Sequence, residues 1–234
     1  MKKSKYIIFV LASFLFSSCD SGDVYPDETS GRSGRLADCK MLFSGLAAWP
    51  SSDYSLVLAA YSNGGSSPVA FRRLAKPASA SDTLTAFLSG IKGADYLTVA
   101  ILYRNSTCIY KFFTRNIRPT DGDTVNMSLI HVNLVDFGRI KAQVFSNCVA
   151  CHGGGFKAAD NLYLISDSAY SNLVNRLALR SNKNRVQPGD VSQSFIIDVL
   201  QGKTPVGFHY NHTNGTLRCE SEDVKLLRVW IESL

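Results

Sequence analysis

Between Leu36 and about Asn133 the chain alternates short apolar runs with clusters of turn-forming residues. The runs fall at 54–61, 69–74, 96–103, 108–115 and 124–134. Between them lie breaks such as Ser62-Asn63-Gly64-Gly65 and Pro119-Thr120-Asp121-Gly122. Strand-length runs with a turn signal roughly every ten residues predict an all-β sandwich over 36–133, immunoglobulin-like or similar. Segments 96–104 and 107–115 around Asn105-Ser106 read as one hairpin. From Val135 the period changes: Phe137, Ile140, Val144 and Cys148 recur at three and four residues, the stripe of a helix. Further helices are predicted over 170–177, over 192–200 with Asp190 as N-cap, and over 221–234. The last begins at Ser221, carries Glu222 and Asp223 at its positive end, and presents Val224, Leu227, Ile231 and Leu234 on one face. The pattern therefore predicts two domains, an all-β one over 36–133 and an all-α one over 134–234.

The first 35 residues belong to neither. Lys2, Lys3 and Lys5 precede an eleven-residue apolar run from Tyr6 to Phe16, too short to span a bilayer and placed where a secretory signal has its core. Leu15-Phe16-Ser17-Ser18-Cys19 resembles the signal of a bacterial lipoprotein. That resemblance implies removal of residues 1–18, lipidation of Cys19, attachment to a membrane through the lipid, and a place in the bacterial cell envelope, periplasmic or on the outer-membrane surface. Residues 19–35, rich in Ser, Gly, Asp and Arg, suit a solvated tether.

Composition alters this picture in two places. The formal charge of +6 invites an anionic partner, but losing residues 1–18 leaves 22 Lys+Arg against 19 Asp+Glu, a charge of +3. The argument for nucleic acid goes with the signal. A hydrophobic content of 45% excludes a disordered chain. Six cysteines invite a disulfide framework; their spacing points elsewhere.

Cys148-Val149-Ala150-Cys151-His152 is the attachment pattern of a c-type haem. Two thiols three positions apart reach the two vinyl groups on one porphyrin edge, and the adjacent imidazole coordinates the iron. A thioredoxin-like pair would want a βαβ setting and a helix starting at the first cysteine. A zinc site would want a fourth ligand, and no second Cys-x-x-Cys occurs. A disulfide across three positions would be strained. Cys148 and Cys151 are therefore the candidates for covalent attachment of one haem c, with His152 the proximal iron ligand.

Around this motif, residues 135–234 resemble the planctomycete-type single-haem cytochrome c domain of bacterial surface proteins. The matching pieces are Cys148 to Gly153, Asn161-Leu162-Tyr163-Leu164, Arg185-Val186-Gln187-Pro188-Gly189-Asp190, Ser194, Leu200, and Leu226 to Ile231. The resemblance implies a cytochrome c-like all-α fold, a Pro188 loop whose carbonyl fixes the His152 imidazole, and a distal ligand seven residues after a glycine. Counted from Gly202, that place holds His209 in place of the usual methionine, and no methionine follows Met127. His209 is the expected distal ligand and His212 the alternative. A second imidazole predicts a bis-histidine haem of lower potential than its His/Met counterparts.

Of the other cysteines, Cys39 and Cys108 both lie in the β half and are the candidate disulfide, with Cys219 left over. The basic run Arg176, Arg180, Lys183 and Arg185 reads as a solvated face and is assigned no site. The sequence contains no catalytic constellation, so it describes an electron-transfer protein with a redox partner protein rather than an enzyme. Two alternatives stand beside it: a haem-based sensor or gas-binding protein, and a surface module whose β half binds a glycan or protein.

Overall fold

The structure, a computed structural model, describes residues 35–153, 159–165, 167–203, 212 and 221–234. Its strands are β1 (Leu36–Ser44), β2 (Tyr54–Tyr61), β3 (Ala70–Arg73), β4 (Leu84–Leu88), β5 (Tyr96–Tyr103), β6 (Thr107–Asn116) and β7 (Thr124–Asn133). They form two sheets, β4-β1-β7 and β3-β2-β5-β6. β1 runs parallel to β7; every other pairing is antiparallel.

β1 is amphipathic with a period of two. Ala37, Cys39, Met41 and Phe43 enter the core while the residues between them are less buried. The central strands β2 and β5 are apolar on both faces, as strands covered on both sides must be. Leu56, Leu58, Leu97, Val99 and Ile101 join the main core, and Val57, Ala59, Tyr61, Ala100 and Leu102 form a second cluster. The β5–β6 hairpin turns where expected. Arg104 and Asn105 take positive φ of 47° and 61°, and Ser106 N–H donates to the Tyr103 carbonyl at 3.2 Å, the mirror-image turn that matches strand twist.

The remainder corrects the expected fold class. No all-α cytochrome c domain follows the sandwich among the described residues; the chain is mainly β. The helices are α1 (Phe137–Gln143), α2 (Val149–His152), α3 (Ala169–Leu173), α4 (Phe195–Leu200) and α5 (Ser221–Glu232). Only α5, at 12 residues, exceeds two turns. Irregular backbone joins them, carrying isolated bridges such as Val174 to Val186 and Asn184 to Ser194.

Local chemistry explains the shortening. The helix predicted over 170–177 stops at Leu173 because Val174 is extended and Asn175 left-handed, with φ 55°. The helix predicted over 192–200 starts only at Phe195. The Asp190 carboxylate accepts from the N–H groups of Ser192 and Gln193, while the Ser194 hydroxyl donates to the Asp190 carbonyl and accepts from Gln187 N–H. Side chains that satisfy nearby backbone in this way hold it in turns.

Residues 34–234 form one compact unit. Ile140, Val144, Phe145, Leu227, Trp230 and Ile231 belong to the same apolar core as Met41, Leu58 and Ile101. Trp230 lies on Phe137, ring centroids 5.3 Å apart, so the C-terminal helix packs on the first one.

The junction is also polar. Asp136 caps α1 by accepting from Gly138 N–H at 2.7 Å and takes the Tyr110 hydroxyl at 2.6 Å. A Cβ at Gly138 would sit 2.6 Å from Tyr110 Oη, so a larger residue there would have to displace the Tyr110 and Asp136 side chains. Arg139 is fully buried and donates to the carbonyls of Ala48 and Leu134 and to Gln143 Oε1. Gln143 passes on a bond to Asp223 of α5, and Glu222 accepts from the Ser51 amide and hydroxyl. Burial pushes the Arg139 guanidinium down to about 10, against the pull of Glu222, Asp223 and Tyr54.

Candidate functional site

α1 runs into a 3-10 turn, Phe145–Cys148, and then into α2, so Cys148, Cys151 and His152 occupy one short stretch of helical backbone. Phe145, buried in the core, fixes where that stretch leaves the sandwich. Helical spacing puts Cys148 and Cys151 on one side, three positions apart. Cys148 is half-buried and Cys151 exposed. Gly153 closes the turn because a Cβ there would run into the Val149 carbonyl.

The three residues border a cavity of about 320 Å³. Its walls are mostly aliphatic and aromatic, with Leu162, Leu173, Leu179, Phe195 and Leu200 among them. His212 also lines it. The His152 and His212 rings have centroids 6.5 Å apart and planes 21° apart. A metal-bound imidazole nitrogen lies ~2 Å from its metal, so two imidazoles opposed across one ion have centroids roughly 6 Å apart. The two rings thus stand at a separation compatible with both imidazoles reaching one metal ion.

The state of His152 suits a ligand. Its Nδ1 is buried without a hydrogen-bond partner. Burial lowers its proton affinity below that of an ordinary imidazole, while the carbonyls of Leu162 and Ala159 and the carboxylate of Asp160 pull the other way and Arg185 adds a small push down. The net direction is down, which favours the neutral imidazole that binds metal. The carbonyls that act on it belong to 159–162, rather than to the Pro188 loop that the resemblance implied. Leu164 N–H donates to the His152 carbonyl at 2.9 Å and so ties α2 to the segment that follows 159–162. Among the described residues no group of three or more His, Cys, Asp and Glu side chains converges as a self-contained metal cage.

The other expected residues fall elsewhere. His209, Cys19 and Cys219 lie outside the described residues, as do the signal and nearly all of the tether. Cys39 and Cys108 are not brought together. Cys39 is a free thiol within the main core on β1, and Cys108 is free on β6 against the second cluster beside Tyr61. Burial, with a smaller push from Asp38, raises the Cys39 thiol to about 12. The sequence reading passed over Arg180 and Arg185, assigned to a solvated face; both border the cavity. The signal available was their position just before and within Arg185-Val186-Gln187-Pro188, one of the matching segments. No helix among the described residues is long and apolar enough to cross a membrane. No family model, curated protein or solved structure matches the chain.

Proposed function

We propose that this chain is an envelope-anchored electron carrier holding one covalent haem, with thioethers at Cys148 and Cys151 and axial imidazoles from His152 and His212. One observation carries the reading: an apolar cavity gathers both thiols of the Cys-x-x-Cys-His motif and a second histidine facing the first. When bound, the haem supplies a reversible ferric–ferrous couple. The chain does the rest. Cys148 and Cys151 would hold the group covalently, each by addition of its S–H across a vinyl group, which loses no atom and needs no oxidant. His152, whose burial favours the neutral imidazole, would offer the iron a lone pair without first releasing a proton. His212, on the cavity wall near His152, would be the second residue to hold the iron and would keep small ligands from it. The aliphatic walls exclude water and limit reorganisation around the changing charge. A lipid on Cys19 and a tether over 19–35 would present this site to a redox partner protein at the membrane.

The test is expression of the full chain in a periplasm equipped for haem attachment. We expect haem that stays with the polypeptide through a denaturing gel, a low-spin ferric spectrum, and no attachment in the Cys148→Ser, Cys151→Ser double variant. His212→Ala should convert the ferric haem to high spin, while His209→Ala should leave it low-spin. A wild-type chain that matures without covalent haem would falsify the proposal. Rapid, complete carbon monoxide binding by the reduced wild type would replace the carrier with a gas-binding protein.

A further inference from the structure

We infer that Arg185 is a positioning residue for His152: it clamps the 159–162 turn whose carbonyls face the imidazole, and so sets how that ring meets the iron. The inference rests on the haem reading above. α2 is a single turn of four residues, and His152 is its last. Helical backbone that short does not hold the ring of its terminal residue in one orientation. His152 Nδ1 makes no hydrogen bond among the described residues, so no side chain fixes the ring. The polar groups that reach the imidazole are the carbonyls of Ala159 and Leu162, and Leu164 N–H bonds back to the His152 carbonyl at 2.9 Å. The ring is therefore placed by the turn and not by its own helix.

The turn does not hold itself. Leu162 N–H closes it onto the Ala159 carbonyl at 3.1 Å. Between them Asp160 and Asn161 both adopt left-handed backbone, with φ of 52° and 53°, a costly conformation for residues with side chains. Arg185 supplies what is missing. Its Nη2 donates to the Asp160 carbonyl at 2.9 Å, and its Nη1 donates to the carbonyls of Asn172 at 2.9 Å and Asn161 at 3.5 Å. Asn172 belongs to α3, so the guanidinium staples the turn to a helix whose Leu173 is in the core.

Arg185 has a fixed base for this work. Its N–H donates to the Arg176 carbonyl at 2.6 Å, and its carbonyl accepts from Ile196 N–H at 3.1 Å. Charge is balanced in place. The Asp160 carboxylate takes Arg180 Nε at 3.3 Å and also attracts Arg185, so one arginine braces the turn by its side chain and the other by its carbonyls. Three carbonyls around one planar fork suit a guanidinium; an ammonium is a point charge and does not bridge them.

The test uses the haem-loaded full chain and compares wild type with Arg185→Lys, which keeps the charge and loses the fork. Two readings report the ring rather than stability. The ferric low-spin electron paramagnetic resonance signal depends on the angle between the two axial ring planes, 21° for His152 and His212. In Arg185→Lys that signal should shift and broaden. Carbonyls beside a ligating imidazole make it more basic and favour ferric iron. Loosening them should raise the ferrous-to-ferric ratio at a fixed poise by about threefold or more. With the charge kept, a lost cation is not the cause. Asn161→Gly in the Arg185→Lys chain should restore both readings in part, because glycine takes left-handed backbone at no steric cost. If Arg185→Lys does not mature, Asn161→Val decides: a β-branched residue resists that backbone, and both readings should move as for Arg185→Lys. Covalently attached haem with both readings unmoved, even in a less stable variant, overturns this inference alone. A wild-type chain without covalent haem overturns the haem reading and this one together.

Discussion

The sandwich and the segment after Asn133 keep their shape by different means. In the sandwich, ladders between neighbouring strands satisfy the backbone, and alternating side chains fill a core that side chains of α1 and α5 extend. Past Asn133 the backbone is served piecemeal. Arg185 answers three carbonyls, Asp190 caps two amides, Ser194 bonds to Gln187 and Asp190, and the helices between are a turn or two long. A structure of that kind has little regular backbone hydrogen bonding of its own, and it borders a cavity. The difference teaches that the second region draws order from two sources: its junction with the sandwich, and whatever fills the cavity.

Removing the filling should separate the two regions most sharply. In the Cys148→Ser, Cys151→Ser chain, amides at Leu164, Val174, Ala178 and Val186 should exchange at least about tenfold faster than in the haem-loaded protein. Amides of β2 and β5 should be unchanged. Native-state hydrogen exchange read by mass spectrometry checks this, and uniform protection in both forms would mean that the cavity walls stand unaided.

The junction is the next place to strike. Arg139→Ala leaves Gln143, Asp223 and two carbonyls facing a void where a buried cation had been. Breaking such a pairing typically costs about 3–5 kcal/mol. Chemical denaturation should show that loss, with α1 and α5 opening before the sandwich. Arg139→Met, which fills the space but leaves the same acceptors, should recover only part of it. A loss below about 1 kcal/mol for Arg139→Ala would mean that the helices are held by Trp230 and Ile231 alone.

These two regions were also unequally legible. β2, β5, β6 and β7 are read directly because their apolar runs are long and bounded by Gly, Asn, Asp and Pro. β1 was missed although its alternation is regular, since Ala, Cys and Met carry it and none of them favours strands strongly. β4 is a short edge strand whose Phe87 faces out, which blurs its period. After Asn133, the helical stripe at Phe137, Ile140 and Val144 is real, but the same spacing at 170–177 and 192–200 was overridden by side-chain–backbone bonds that no periodicity reports. At the site, the Cys-x-x-Cys-His motif names three residues without help from the fold. The counting rule names His209, which lies outside the described residues, while its alternative His212 lines the cavity near His152.

A pH scan sharpens the contrast from the sandwich side. Burial lifts the Cys39 thiol from 9.0 to about 12 in the folded chain. Between those values the unfolded chain has released the proton and the folded one has not. Stability from this group is therefore complete below about pH 9 and lost as pH climbs toward 12, at up to about 1.4 kcal/mol per pH unit. Cys39→Ala should flatten the alkaline slope by one proton while lowering stability at neutral pH. An unchanged slope would show that the thiol reaches solvent in the folded state.

The smallest effect expected is at the hinge between the regions. Asp136 holds Tyr110 of β6 with the same carboxylate oxygen that caps α1 at Gly138, so one atom fixes the start of the second region against the edge of the first. Asp136→Ala should cost about 1–2 kcal/mol, the range for a lost N-cap. Asp136→Asn retains an acceptor and should cost less. The Tyr110 hydroxyl, whose ionisation is pushed up by burial and then by Asp136, should titrate at lower pH in both variants. Ultraviolet difference titration of Tyr110→Phe against each variant isolates that group. If Asp136→Ala lowers stability but leaves the tyrosine titration in place, the carboxylate acts only as a helix cap, and the second region is oriented by apolar packing rather than by this bond.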